Sequence, residues 1–150
     1  MHIQIVEITA YTPAVGEQLI RLMQELSTHR TCTEETLRAV VDDPHCHQYC
    51  VLDDDRTVGC ASLCVSCSPT GTKGYVEDVV VTSDYRGRHL GRQLMHHLLE
   101  AAKQYAPIEL HLTSRPSRQA ANNLYASLGF ERKETNCYRR MLRPDAEQVG

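Results

Sequence analysis

The chain alternates between two hydrophobic periods. Apolar positions recur every second residue in Ile3–Ile8 (IQIVEI), which predicts a strand. Val15, Leu19, Leu22, Met23 and Leu26 then recur at helical spacing, predicting an amphipathic helix over residues 13–27. TEETLRAVVDD reads as a short second helix that starts at Thr33 and stops before Pro44. HQYCVLDDDRTVGCASLCVS reads as two strands joined at the acidic turn Asp53–Asp55, and YVEDVVVT (Tyr75–Thr82) as a third. Helical spacing returns with Leu90, Leu94, Met95, Leu98, Leu99 and Ala102 on one face, and His96, His97, Glu100 and Lys103 on the other. IELHLT is a further strand. SRQAANNLYASLG is a helix with Ala121, Leu124, Tyr125 and Leu128 on one face and Gly129 as its C′ stop. FERKE and TNCYRRML are expected to close the chain as strands.

The predicted order is β α α β β β α β α β β. It mixes hairpins with βα units, so an α/β domain on a mixed sheet follows. At 150 residues, one domain spanning 1–150 is expected, with polar residues 143–150 as a loose tail.

A net charge of −3 argues against a nucleic-acid partner, since such proteins carry a basic excess. No apolar run is long enough to span a bilayer, and MHIQIVEITA is not a signal peptide, so no membrane partner and a cytoplasmic location are expected. Seven cysteines scattered among strand-like runs read as buried small hydrophobes. His45, His47, Cys64 and Cys67 offer the alternative of a zinc-binding module. They lack the second CxxC or HxxxH of common zinc sites, so no metal is expected.

The chemistry gathers at VVVTSDYRGRHLGRQLM, where a strand ends and a helix begins. A helix N-terminus presents unpaired amides and the positive end of its dipole, so it binds anions. Gly87 and Gly91 allow close backbone approach, and Arg86, Arg88 and Arg92 add charge. The segment has neither the GxxxxGK[ST] of a P-loop nor the GxGxxG of a dinucleotide fold. A solvated strand–helix turn is the plain alternative to a phosphate site.

This segment resembles the acetyl-CoA pyrophosphate loop of the GNAT N-acetyltransferase superfamily, Arg/Gln-x-x-Gly-x-Gly/Ala. Arg86 and Gly91 match its ends, and His89 stands where its first glycine usually lies, a position that demands a glycine-like backbone. AANNLYASLGF is similar to the superfamily's A-x-x-L-Y-x-x-x-G-F segment, and YVEDVVVTSDYRG also resembles glucosamine-6-phosphate N-acetyltransferases. The resemblance implies a mixed, mostly antiparallel central sheet flanked by about four helices. It implies acetyl-CoA as cosubstrate, with Arg86, Gly87, Arg88, His89, Leu90, Gly91 and Arg92 on the pyrophosphate and the backbone of Val79, Val80 and Val81 along the pantetheine arm. Asn122 would reach the same arm. Tyr125 would protonate the departing thiolate, although its place on an apolar helix face fits core packing equally well. Glu77 or Asp78, on opposite faces of an alternating strand, would free the attacking amine of its proton; Glu77 is favoured, and ordinary ion pairing is the alternative for both.

The expected function is acetyl transfer to the primary amine of a small molecule or peptide by direct attack. A non-catalytic acyl-CoA-binding sensor domain is the alternative. The acceptor is left open among amino sugar phosphates, polyamines, amino acids, antibiotics and protein N-termini. The resemblance also implies a homodimer, with the C-terminal strands as its edges.

Overall fold

A computed structural model describes residues 1–145; the end of the expected tail, residues 146–150, lies outside the described residues. In chain order the elements are β1 (Ile3–Ile8), α1 (Pro13–Leu26), α2 (Glu34–Asp42), β2 (Cys46–Asp53), β3 (Arg56–Ser68) and β4 (Gly71–Val81). They continue with a 3-10 turn (Ser83–Tyr85), α3 (Leu90–Ala102), a second 3-10 turn (Lys103–Tyr105), β5 (Ile108–His111) and α4 (Gln119–Ser127). They form two compact units, Met1–Thr113 and the segment from Ser114 onward.

The first unit is a five-stranded sheet in the order β1-β2-β3-β4-β5. β1 to β4 run antiparallel as a meander, and β5 joins β4 in parallel. The acidic turn falls where expected: β2 ends at Asp53, β3 begins at Arg56, and Asp54 takes φ 50°. Local chemistry sets the helix starts. Thr12 caps α1 by accepting from the Val15 amide, with Pro13 in the first turn where its missing N–H costs nothing. Thr33 and Thr36 form a reciprocal capping box at the start of α2.

α1 and α2 cover one sheet face, with Leu19, Leu22, Leu37, Cys50, Cys60 and Val80 as its core. The strand pleat sends Tyr49 to the other face, where its ring meets His97 of α3 edge-on at 5.4 Å. α3 buries Leu90, Leu94, Met95, Leu98 and Ala102. Each fully buried Leu or Met contributes about 1.5–3 kcal/mol.

The second unit holds α4, which ends in a Schellman motif. Gly129 adopts φ 93°, its amide donates to the Ala126 carbonyl at 3.1 Å, and the Phe130 amide donates to the Tyr125 carbonyl at 3.0 Å. The expected closing strands FERKE and TNCYRRML do not form: among the described residues no strand follows β5. Residues 131–145 are exposed throughout: Glu131–Glu134 are four consecutive charged residues, and Tyr138, Met141 and Leu142 are 87%, 67% and 71% exposed, so the segment buries no face. A segment with neither a buried face nor a ladder partner leaves its amides to water. The dimer edge assigned to those strands is lost with them.

Candidate functional site

β4 and β5 stay paired for only four residues, Thr72–Tyr75 against Ile108–His111. From Val76 to Val81, β4 has no β5 neighbour, so among the described residues its backbone on that side is without a ladder partner. Within this stretch Cys60 faces Val80 and Ser62 faces Glu77, so Ala61 is opposed by both Asp78 and Val79. This is a β-bulge, and Asp78 takes φ 53° within it. The Cys60 thiol donates to the Asp78 carbonyl at 3.7 Å. Simple alternation of Glu77 and Asp78 is therefore interrupted by one extra residue.

After β4 a loop of residues 82–89, with the 3-10 turn Ser83–Tyr85 in it, leads into α3. Two carboxylates hold the turn. Glu25, in the last turn of α1, accepts from the Thr82 hydroxyl at 2.7 Å and from the Ser83 amide at 3.2 Å. Asp53 accepts from the Tyr85 hydroxyl and from the His2 amide. The Tyr85 hydrogen bond, foremost, holds the Asp53 carboxyl below its ordinary range and lifts the Tyr85 phenol above its own. The guanidinium groups of Arg56 and Arg88 lie 5.3 and 5.0 Å from the Tyr85 ring centroid.

His89 is the N-cap residue of α3 and sits in the left-handed region at φ 60°, ψ 20°, the conformation a motif glycine would take freely. It makes no side-chain capping bond, and the first turn of α3 contains no acidic residue. The first amides of the helix therefore keep their anion-binding capacity. Arg86 donates from Nε to the Val81 carbonyl at 3.2 Å, which ties the loop to the end of β4.

Directly paired residues share a sheet face. Glu77 thus stands beside Ser62, and Tyr75 stands between Cys64 and His111. The Ser62 hydroxyl donates to the Glu77 carbonyl at 3.3 Å. Burial, chiefly, and the neighbouring Asp78 raise the Glu77 carboxyl above its ordinary value, while Arg30 opposes the shift. Tyr75 is 41% exposed and stacks on His111 with ring centroids 5.4 Å apart. His111 Nε2 lies 3.0 Å from a Glu109 carboxylate oxygen, but outside hydrogen-bond alignment.

In the second unit, Tyr125 is half-buried and meets the Phe130 ring edge-on at 6.1 Å, the apolar contact that accompanies the helix stop. Burial raises its phenol above the ordinary value, with Arg118 acting the other way. The Asn122 amide donates to the Arg115 carbonyl at 3.0 Å and the Pro116 carbonyl at 3.5 Å, which ties down the loop ahead of α4.

The residues weighed for zinc are separated. Cys64 and Cys67 are three apart in one strand and so point to opposite faces. His47 is held between Glu7, at 2.6 Å, and Tyr105. Among the described residues no group of three metal-ligating side chains converges.

Comparison with known proteins decides the family: residues 15–130 match the acetyltransferase (GNAT) family. The chain belongs to the GNAT family. It is 30% identical over 97 residues to N-alpha-acetyltransferase 30 of Schizosaccharomyces pombe (strain 972 / ATCC 24843), a match covering 63% of this chain and 61% of that protein. The chain thus spans about three fifths of that curated relative. An aminoglycoside acetyltransferase from an uncultured soil metagenomic sample shares the fold with a TM-score of 0.80 at 17% identity, over 95% of this chain and 100% of that one. Glucosamine-6-phosphate N-acetyltransferase from Arabidopsis thaliana does so with a TM-score of 0.77 at 16% identity, over 93% and 99% of the two chains.

Four residues that shape the candidate region of this GNAT chain escape a reading of local sequence. Glu25, Asp53 and His111 act across long separations, and Tyr75 reads simply as the first residue of a strand. An apolar-face helix that ends on a carboxylate is the one local hint of Glu25.

Proposed function

We propose that the protein is an acetyl-CoA-dependent N-acetyltransferase that delivers acetyl to a primary amine of a small molecule or peptide by direct attack. One observation carries this reading: a β4 edge without a β5 neighbour leads, through the loop of residues 82–89, to a helix N-terminus without a side-chain cap. The edge offers backbone donors and acceptors to an extended amide-bearing arm, as an added strand would use them. The helix start offers amides to a pyrophosphate.

In this reading the amides of Leu90, Gly91 and Arg92, with Arg86, Gly87, Arg88 and His89, hold the pyrophosphate. Val79, Val80 and Val81 align the pantetheine arm by main-chain hydrogen bonds. A β4 amide near the bulge stabilises charge developing on the thioester oxygen. The amine must lose a proton to attack. Glu77 accepts it, its raised carboxyl being better matched to an amine than an ordinary carboxylate is. Asp78 supports this electrostatically, because its charge lifts Glu77. Tyr125 is assigned the proton donor for the departing thiolate on the strength of its sequence motif. Asn122 serves by shaping the loop before α4.

By analogy with these relatives the acceptor is an amine. Amino sugars, aminoglycosides and peptide α-amines form the panel to test. Acetyl-CoA at 100 times its dissociation constant should stabilise the native state by about 2.7 kcal/mol. A melting shift that is lost on charge reversal of Arg86 and Arg88 supports the site. Thiol release with an acceptor, slowed in Tyr125→Phe and Glu77→Gln without loss of acetyl-CoA binding, supports the chemistry. No shift at millimolar acetyl-CoA refutes the reading.

A further inference from the structure

Two pairs of cysteines stand directly opposite each other across β2 and β3: Cys46 with Cys64, and Cys50 with Cys60. The Val65 amide donates to the His45 carbonyl at 2.9 Å, so His45 and Val65 are a hydrogen-bonded pair. Pair types alternate along an antiparallel ladder, which makes Cys46/Cys64 and Cys50/Cys60 non-hydrogen-bonded pairs. Such pairs have Cα atoms about 4.5 Å apart with side chains drawn together. That separation lies inside the range of about 4.4–6.8 Å that a disulfide spans. The Cys46 and Cys64 sulfurs are already 3.8 Å apart.

The two pairs differ in access. Cys50 and Cys60 are each 0% exposed, whereas Cys46 and Cys64 are both half-buried. We propose that Cys46 and Cys64 are a disulfide-forming site that reacts by exchange with a small-molecule disulfide, while the buried pair beside it does not. The inference rests on the β2–β3 register and is independent of the acetyl-transfer reading.

The step balances. One of the two thiols loses its proton to solvent and attacks a sulfur of oxidised glutathione, forming a mixed disulfide and expelling one glutathione thiolate. The opposing cysteine loses its proton, attacks the protein sulfur of the mixed disulfide and expels the second. The protein loses two hydrogens, and one small disulfide becomes two thiols. Burial, chiefly, raises both thiols, Cys64 to about 12, so the thiolate fraction limits the rate and exchange accelerates with pH. The product ties β2 to β3 beside Tyr75, which Cys64 faces in β4.

The test is incubation of the folded protein with excess oxidised glutathione across a pH series, followed by acid quench, intact mass and non-reducing peptide mapping. Exposed Cys67 and Cys137 serve as an internal clock of oxidant exposure. The expected result is a Cys46–Cys64 linked peptide that forms faster at higher pH, with Cys50 and Cys60 still reduced and a raised Tm. In Cys46→Ala or Cys64→Ala, the remaining partner should instead carry a lasting glutathione. Circular dichroism confirms that each sample stays folded. The proposal is overturned if Cys46 and Cys64 remain thiols or carry separate glutathiones after Cys67 and Cys137 are fully modified. It is equally overturned if either links to a different cysteine.

Discussion

Replacing Glu25 with alanine should loosen the start of the α3 loop and cost measurable stability. Glu25 makes two charge-assisted contacts there, to the Thr82 hydroxyl at 2.7 Å and to the Ser83 amide at 3.2 Å. They are unequal. Thr82 is only 7% exposed, so its hydroxyl has little water to turn to when Glu25 is removed. Ser83 is exposed, and its amide rehydrates. A hydrogen bond to a charged group contributes about 1.5–3 kcal/mol, and the exposed one falls below that range. The sum is about 2–3 kcal/mol, which for a chain of this size lowers Tm by roughly 4–12 °C. Denaturant unfolding of wild type, Glu25→Ala, Thr82→Val and the double variant isolates the pair. A coupling of about 1 kcal/mol or more is expected. Calorimetric titration of acetyl-CoA should show weaker binding in Glu25→Ala, since the loop it anchors is the proposed pyrophosphate cradle. Unfolding indistinguishable from wild type, with additive single and double variants, would refute the clamp.

His89→Gly should raise Tm by a few degrees at most: a non-glycine residue in the left-handed region costs about 1–2 kcal/mol, and part of the relief returns as backbone entropy. Calorimetry checks it, and a fall in Tm contradicts the assigned backbone. The acid limb of kcat/KM should lie above the ordinary carboxylate range and vanish in Glu77→Gln, as a pH–rate profile with a saturating thioester would show. Between the ordinary carboxylate value and the raised Glu77 value, the folded protein holds more protons than the unfolded chain, so stability falls as pH rises through that window. Glu77→Gln should flatten this slope in unfolding experiments run across the same window.

Much of the first unit is legible in local pattern, because its elements carry their own instructions. Thr12 with Pro13, and Thr33 with Thr36, set two helix starts within four residues of chain. Gly129 stops α4 as its position predicts. Arg86 to Gly91 mark the loop into α3, and the requirement placed on His89 is visible as a departure from a glycine pattern. What stays hidden depends on partners elsewhere. The bulge at Asp78 arises from register against Ala61, and no residue near Asp78 announces it. Asp53 looks like one of three acids in a turn until Tyr85, far along the chain, donates to it. FERKE and TNCYRRML show the converse. Their composition admits strands, but a strand also needs a face to bury, and residues 131–145 stay exposed throughout.

The parting of β4 from β5 has a cost as well as a use. A valine-rich strand whose ladder groups lack a strand neighbour on one side is the kind of edge that recruits other chains, and folds usually blunt such edges with charge, proline or a bulge. Here the bulge at Asp78 and the carboxylates of Glu77 and Asp78 fall on that stretch. The groups assigned to chemistry therefore also act as a guard against self-association. Substitutions that make this edge more apolar would trade solubility for binding, and a bound acyl carrier would shield the protein from its own copies.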